Sequence, residues 1–302
     1  MVYASARLPE MEKCHLCITV SPQSTTHLLS KRPVRKMLDI WPALPLIVNG
    51  WDLGPLDSEL GSRNTHIDNI ISALECRDRI RHINLGVLPD FLLKMFAAVM
   101  QESFPVLTDL ALSSTMESES APALPDSFLD GIAPRLRSLT LHRIPFPGLL
   151  KLLLTTNFLV DLCLVGIPHS GYISPEAMAN CLSSLTMLRY LRLGFNSPRP
   201  HRDRPSRHPS SMTRVDLPAL VDSCFWGDNE YLEQFVARFN APLLMDIFIT
   251  FFNRLVFDNS QLSRFIGRVE NDKVIQKAVV ELVLTKSPSF FLLLKIQMFS
   301  QV

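Results

Sequence analysis

A ten-residue frame that recurs along the chain constrains the fold more than any other feature. Ile80-Arg-His-Ile83-Asn-Leu85-Gly-Val-Leu88-Pro89 aligns with Leu136-Arg-Ser-Leu139-Thr-Leu141-His-Arg-Ile144-Pro145, and again with Leu159-Val-Asp-Leu162-Cys-Leu164-Val-Gly-Ile167-Pro168. All three read L-x-x-L-x-L-x-x-[IL]-P. Four further segments keep the first six positions: Leu107/Leu110/Leu112, Leu188/Leu191/Leu193, Leu244/Ile247/Ile249 and, least faithfully, Leu220/Ser223/Phe225. The seven units start 27, 29, 23, 29, 32 and 24 residues apart. Self-similarity at this period marks stacked supersecondary units, none of which buries its apolar side without a neighbour.

Within each unit the x-L-x-L stretch alternates with period two, which specifies a strand with one apolar face. Pro105, Pro134 and Pro242 each stand two residues before the first leucine of a unit. A proline there ends the preceding segment without removing a ladder hydrogen bond from the strand that follows. Apolar stretches of helical length lie between the strands, at Phe91 to Met100, Gly148 to Thr155, Ser174 to Leu185 and Asp228 to Phe239. Ser174-Pro175-Glu176 offers an N-cap, a first-turn proline and an early carboxylate, and Asp228 is a second candidate cap, for a helix carrying Tyr231, Phe235 and Phe239. Strand and helix in repeated alternation predict an α/β leucine-rich-repeat solenoid of about seven irregular repeats, a curved parallel sheet with helices on its convex side.

Composition excludes several classes. The 302 residues are 47% hydrophobic and 20% charged, which suits a folded chain. Phe91 to Met100 is broken by Lys94, and Phe290 to Phe299 by Lys295 and Gln297, so no run reaches the roughly 18 apolar residues of a membrane span. Glu10, Glu12 and Lys13 stand where a secretory signal needs apolar residues, and the six cysteines form no disulfide-like framework. The expected compartment is cytoplasmic or nuclear. The net charge of +1 conceals a division: residues 1–36 carry +4, 197–214 carry +4 and 271–302 carry +2, leaving −9 on the rest. The division predicts a basic, poorly ordered tail at 1–36, a repeat domain at 37–270 with a mobile Pro-rich basic loop at 197–214, and an atypical, helical extension at 271–302. In that loop Ser206, Ser210 and Ser211 lie beside arginines as candidate phosphorylation sites. With no aromatic residue interleaved there and an acidic body, nucleic acid is not an expected partner.

The repeats, the stretch Met37-Leu-Asp-Ile-Trp41-Pro42-Ala-Leu44-Pro45-Leu46, and the segment from Leu217 through Trp226-Gly227 and Ala241-Pro242 to Asn253 resemble the repeat half of F-box proteins of mushroom-forming (basidiomycete) fungi. The likeness runs from about residue 37 to about residue 270. It implies a substrate-recognition part of a cullin-RING ubiquitin ligase, in which an N-terminal F-box docks on a Skp-type adaptor. Only Leu8-Pro9-Glu10 answers to the F-box pattern before Lys13, His15 and Ser21-Pro22 interrupt it, so the adaptor-binding module is expected to be absent or truncated. A stand-alone repeat protein without a ligase link, acting as binder or decoy, is the alternative. An enzyme with an unrecognised site is a third reading.

Strand parity names the residues a partner would meet. If the second and third leucines of each unit face the core, the residues before and between them face the concave surface. These are His82 and Asn84, Asp109 and Ala111, Ser138 and Thr140, Asp161 and Cys163, Tyr190 and Arg192, Asp222 and Cys224, and Asp246 and Phe248. Asp109, Asp161, Asp222 and Asp246 share one register, which predicts an acidic edge that prefers a basic protein surface. The same aspartates equally well keep an exposed sheet face hydrated. Tyr190 and Phe248 are candidate aromatic anchors, whereas Trp226 is read as packing. No cofactor is called for, and a monomer within a complex is the expected state. Cys14, Cys17 and His27 fall short of the four ligands of a structural zinc site, and no phosphate-binding, zincin or hydrolase motif occurs, so no metal and no catalytic residue is assigned.

Overall fold

The structure, a computed structural model, describes residues 16–20, 35, 38, 44–50, 60–115, 122–196, 214–252, 260–269, 273–284 and 290–300. Each of the seven units supplies one strand: β3 (Ile80–Leu88), β4 (Asp109–Ser114), β5 (Ser138–His142), β6 (Asp161–Ile167), β7 (Tyr190–Phe195), β9 (Asp222–Gly227) and β11 (Asp246–Phe252). Two strands precede them, β1 (Leu16–Val20) and β2 (Leu46–Gly50), and two follow, β12 (Lys273–Leu284) and β13 (Phe290–Ser300). Together they form an 11-stranded open sheet in the order β1-β2-β3-β4-β5-β6-β7-β9-β11-β13-β12. Pairing is parallel from β1 to β11 and antiparallel at β11–β13 and β13–β12. A separate two-stranded parallel sheet joins β8 (Val215–Asp216) to β10 (Phe239–Asn240).

The helices between strands are α1 (Leu60–Leu74), α2 (Asp90–Val99), α3 (Leu149–Leu153), α4 (Pro175–Leu182), α5 (Asn229–Val236) and α6 (Ser260–Val269). Parallel crossovers are almost always right-handed, so a strand order that advances steadily in one direction carries its helices on a single face. The core lies between that face and the helices. Its strand contribution is the row Ile83, Leu110, Leu139, Leu162, Leu191 and the row Leu85, Leu112, Leu141, Leu164, Leu193, all at most 3% exposed and paired rung by rung. Each fully buried leucine is worth roughly 2 kcal/mol of removed apolar surface.

Local chemistry sets the helix ends. Ser174 Oγ accepts from the Ala177 N–H at 3.1 Å, with Pro175 in the first turn, as its sequence predicts. Asp228 occupies the N-cap position of α5 without a capping hydrogen bond from its side chain, and Phe239 leaves that helix for β10. The α6 N-terminus is capped from a distance: Glu233 of α5 accepts the Gln261 and Leu262 N–H groups at 2.7 and 2.9 Å. At the other end of α6, Arg268 donates to the Val236 carbonyl at 3.1 Å. Around these helices the core turns aromatic, with Tyr172, Phe195, Phe225, Tyr231, Phe235, Phe239 and Phe265 linked by ring centroids 4.7–6.3 Å apart.

Three sequence expectations differ from the structure. The tail at 1–36 contributes β1, paired with β2 from Leu16↔Leu46 to Val20↔Gly50. Alignment by leucines does not find β2, because Val48 and Gly50 stand where the frame has its second and third leucines. The helical extension over 271–302 is two antiparallel strands instead, consistent with the β-branched and aromatic content of KVIQKAVVELVL and FFLLLKIQMFS. Ser206, Ser210 and Ser211 lie outside the described residues.

The frame also encodes a bulge. Val87, Arg143 and Gly166 occupy the same position, directly before the [IL]-P pair, and all have positive φ: 55°, 59° and 68°. The ladder slips there, between Leu85 and Leu88 and between Leu164 and Ile167, and resumes with Thr115 N–H to Leu88 O and Asn196 N–H to Ile167 O. Left-handed backbone costs an L-residue about 1–2 kcal/mol, and a β-branched one is the poorest fit. Val87→Gly is therefore expected to stabilise the fold by up to about 1 kcal/mol after the entropic cost of glycine, read from the denaturant midpoint at unchanged slope. Ser223 breaks the leucine row between Leu191 and Ile247 and lines a small apolar cavity with Phe225, Phe235, Phe239 and Leu262. Ser223→Val, which fills that space, is expected to add about 1 kcal/mol in the same measurement.

Candidate protein-binding face

Because side chains alternate across a strand, the ladder that stacks the leucines also stacks the residues between them on the opposite face. His82, Asp109, Ser138, Asp161, Tyr190, Asp222 and Asp246 are successive Cα partners from β3 to β11. Two residues further along lies a second row: Asn49, Asn84, Ala111, Thr140, Cys163, Arg192, Cys224 and Phe248. Every residue of both rows is half-buried, where the leucines between them are buried. Parity in the sequence thus places all fourteen residues it names in two rows of one face. Asn49 was missed with β2, and Ser113, His142 and Trp226 extend the face by a further partial rung.

Strands about 4.8 Å apart bring Asp222 and Asp246 next to each other and leave Asp109 and Asp161 two strands apart, separated by Ser138. The charges interact. Burial raises the Asp161 carboxyl above its ordinary range; Arg192 opposes the rise, and Asp222 and Asp109 add to it. Asp161 Oδ1 is buried with no hydrogen-bond partner, an acceptor that a donor from outside would satisfy. Asp109 goes the other way. Burial favours its neutral form, but hydrogen bonds with His82 and Thr108, together with the charges of His82 and Arg137, hold it below the usual range. Thr108 Oγ1 donates to Asp109 Oδ2 at 2.7 Å, and His82 Nδ1 lies 3.8 Å from the same oxygen.

The second row has thiols on either side of a cation. Burial pushes Cys163 up, and burial with the charge of Asp222 pushes Cys224 up to about 12, so both are neutral thiols at pH 7. Arg192 between them is held above its usual value: burial opposes the charge, but Asp161 and the two cysteines outweigh it. Tyr190 is covered on one side by Arg189, whose guanidinium carbon is 5.9 Å from the ring centroid. Ser113 Oγ and His142 Nδ1 are 3.2 Å apart, and burial followed by the charge of Arg143 lowers the imidazole pKa, leaving it neutral at pH 7. A Ser–His pair of this kind becomes a nucleophile when a third group orients the base and donors await an oxyanion. Neither was assigned in the sequence, and the small cavity near Ser223 lies elsewhere, with an apolar lining. Among the described residues no group of three or more His, Cys, Asp or Glu is placed to hold a metal ion, and no helix is long and apolar enough to cross a membrane.

The signs of the two aspartate shifts lead to opposite pH behaviour. Asp109, lowered in the fold, contributes stability that is present above its unfolded pKa and lost as pH falls through the folded one. Asp161, raised, contributes stability that is present below its unfolded pKa and lost as pH rises through the folded one. At pH 7 Asp161→Asn is therefore expected to raise the thermal midpoint and Asp109→Asn to lower it. Both differences shrink towards pH 3, measured by thermal unfolding at the two pH values. Compared with known proteins, the chain matches no family model, no curated protein and no solved structure.

Proposed function

We propose that this chain is a leucine-rich-repeat binding scaffold whose sheet face opposite the described helices holds a protein with a basic surface. The observation that carries this reading is the unbroken register of the two open rows across seven strands, with four aspartates in one of them. An array of half-buried side chains on a hydrogen-bonded ladder is pre-organised for a large partner, because little ordering entropy remains to be lost on docking. The like-charged row raises encounter rates with cationic proteins and rejects anionic ones. The raised pKa of Asp161 supports the same reading, since an incoming cation would relieve the repulsion from Asp109 and Asp222. The resemblance to F-box proteins adds a destination for the bound protein: ubiquitin transfer by other subunits of a cullin-RING ligase.

A second reading, a binder without a ligase link, draws on β1. Leu16–Val20 extends the repeat sheet beside β2, shortly after Leu8-Pro9-Glu10, where an F-box would continue as helices. Pull-down with a Skp-type adaptor distinguishes the two. Retention by the full chain, abolished on deleting residues 1–36, supports the ligase reading, and no retention supports the stand-alone binder. The scaffold reading itself is tested by proximity labelling in cells, comparing the full chain with a variant carrying Asp161→Arg and Asp246→Arg. Loss of the basic proteins from the labelled set is the expected outcome, and an unchanged set would remove the acidic row from the binding role.

A further inference from the structure

We infer that the β9–β11 end of the open face is an anchor site for an arginine side chain of the bound protein. This deepens the binding-scaffold reading above and rests on it. The indole of Trp226 and the ring of Phe248 lie side by side on neighbouring strands, with centroids 6.1 Å apart and planes 55° from each other. Trp226 pairs across the ladder with Gly194 of β7. A Cβ built on Gly194 would stand 3.1 Å from Trp226 Cε3 and 3.4 Å from its Cβ, so the missing side chain is what lets the indole lie down against β7. Both rings remain partly exposed.

Asp222 and Asp246, Cα partners on the same two strands, stand four residues before Trp226 and two before Phe248. The two residues of strand from Phe248 to Asp246 span about 6.8 Å, within the length of an arginine side chain, whereas the four from Trp226 to Asp222 span about 13.6 Å, so the fork meets the carboxylates from Phe248 and the indole flanks that ring on its far side. The arginine methylenes and guanidinium plane fit against the rings while the N–H fork reaches the carboxylates. Cys224, between Asp222 and Trp226, is a neutral thiol and adds an uncharged floor. The chain's own Arg192 is hydrogen-bonded to Cys163 on β6, and as the Cα partner of Cys224 it also borders the β9 side with its charge. Lysine fits less well, because an ammonium group is more strongly hydrated and lacks the planar fork.

The test titrates the full chain with capped hexa-arginine, hexa-lysine and hexa-citrulline peptides, following tryptophan emission and heat of binding. Hexa-arginine is expected to bind several-fold more tightly than hexa-lysine, and hexa-citrulline not to bind. Trp226→Leu, the milder Phe248→Leu, and Asp222→Asn with Asp246→Asn are each expected to weaken hexa-arginine about tenfold. Asp126→Asn, in an exposed turn off this face, is the control for net charge, and circular dichroism checks that each variant is folded. Equal affinity for the arginine and lysine peptides would overturn the anchor. So would equal losses from Asp161→Asn and Asp246→Asn with none from either aromatic variant, a result that leaves the acidic face standing. Absence of binding by both cationic peptides would overturn the anchor and the preference for basic partners together.

Discussion

Everything in this molecule depends on the parallel backbone ladder keeping its central rungs aligned over eight successive pairings, β1 to β11, with register shifts confined to strand ends. Register matters because the side-chain period of a strand is two: a slip of one residue would carry a whole leucine row from the core to water. The buried rows resist such a slip strongly, since each strand loses several kilocalories of apolar burial at once. No strand provides this alone. Leu139 is buried because Leu110 and Leu162 flank it on either side, which is why stability in such an array resides in the interfaces between units.

The same ladder has an electrostatic consequence on its other face. Residues between the leucines cannot choose their neighbours independently; whatever occupies one register is stacked at about 4.8 Å intervals. Aspartate at that register in four of seven units therefore brings like charges together, and Asp161 feels both Asp109 and Asp222. The fold tolerates this where local partners compensate, as His82 and Thr108 do for Asp109. Where they do not, a buried carboxylate oxygen is left without a hydrogen bond. Such a cost supports the proposal that this face meets a partner, since strain held by a fold tends to collect where function needs it.

Towards the C-terminal end the design changes while the ladder continues. Leucine gives way to aromatic packing around Tyr231 and Phe235, β9 carries Ser223 in the buried row, and the sheet finishes with an antiparallel pair. Glu233 and Arg268 bind α6 to α5 through its two ends, replacing local caps by long-range hydrogen bonds. The aromatic character reaches the open face as well, at Trp226 and Phe248, so one region combines a shifted core with a distinct surface chemistry.

Much of this was legible in the residues alone. Leucine spacing located seven strands, and strand parity assigned fourteen residues to one face, because period-two alternation is a local property that survives whatever the neighbours are. Ser174-Pro175 marked a helix start for the same reason. What required the tertiary structure were features decided by pairing partners distant in sequence. Val48 and Gly50 enter the sheet as β2 only because β3 and β1 accept them on either side. Lys273–Leu284 and Phe290–Ser300, where a helical extension was expected, are strands because they pair with each other and, through Phe290–Ser300, with β11. The opposite pKa shifts of Asp109 and Asp161 are likewise not readable from the repeat: the two aspartates occupy identical places in it, and although Thr108 directly precedes Asp109, His82 for one and two further aspartates for the other are brought there by the fold.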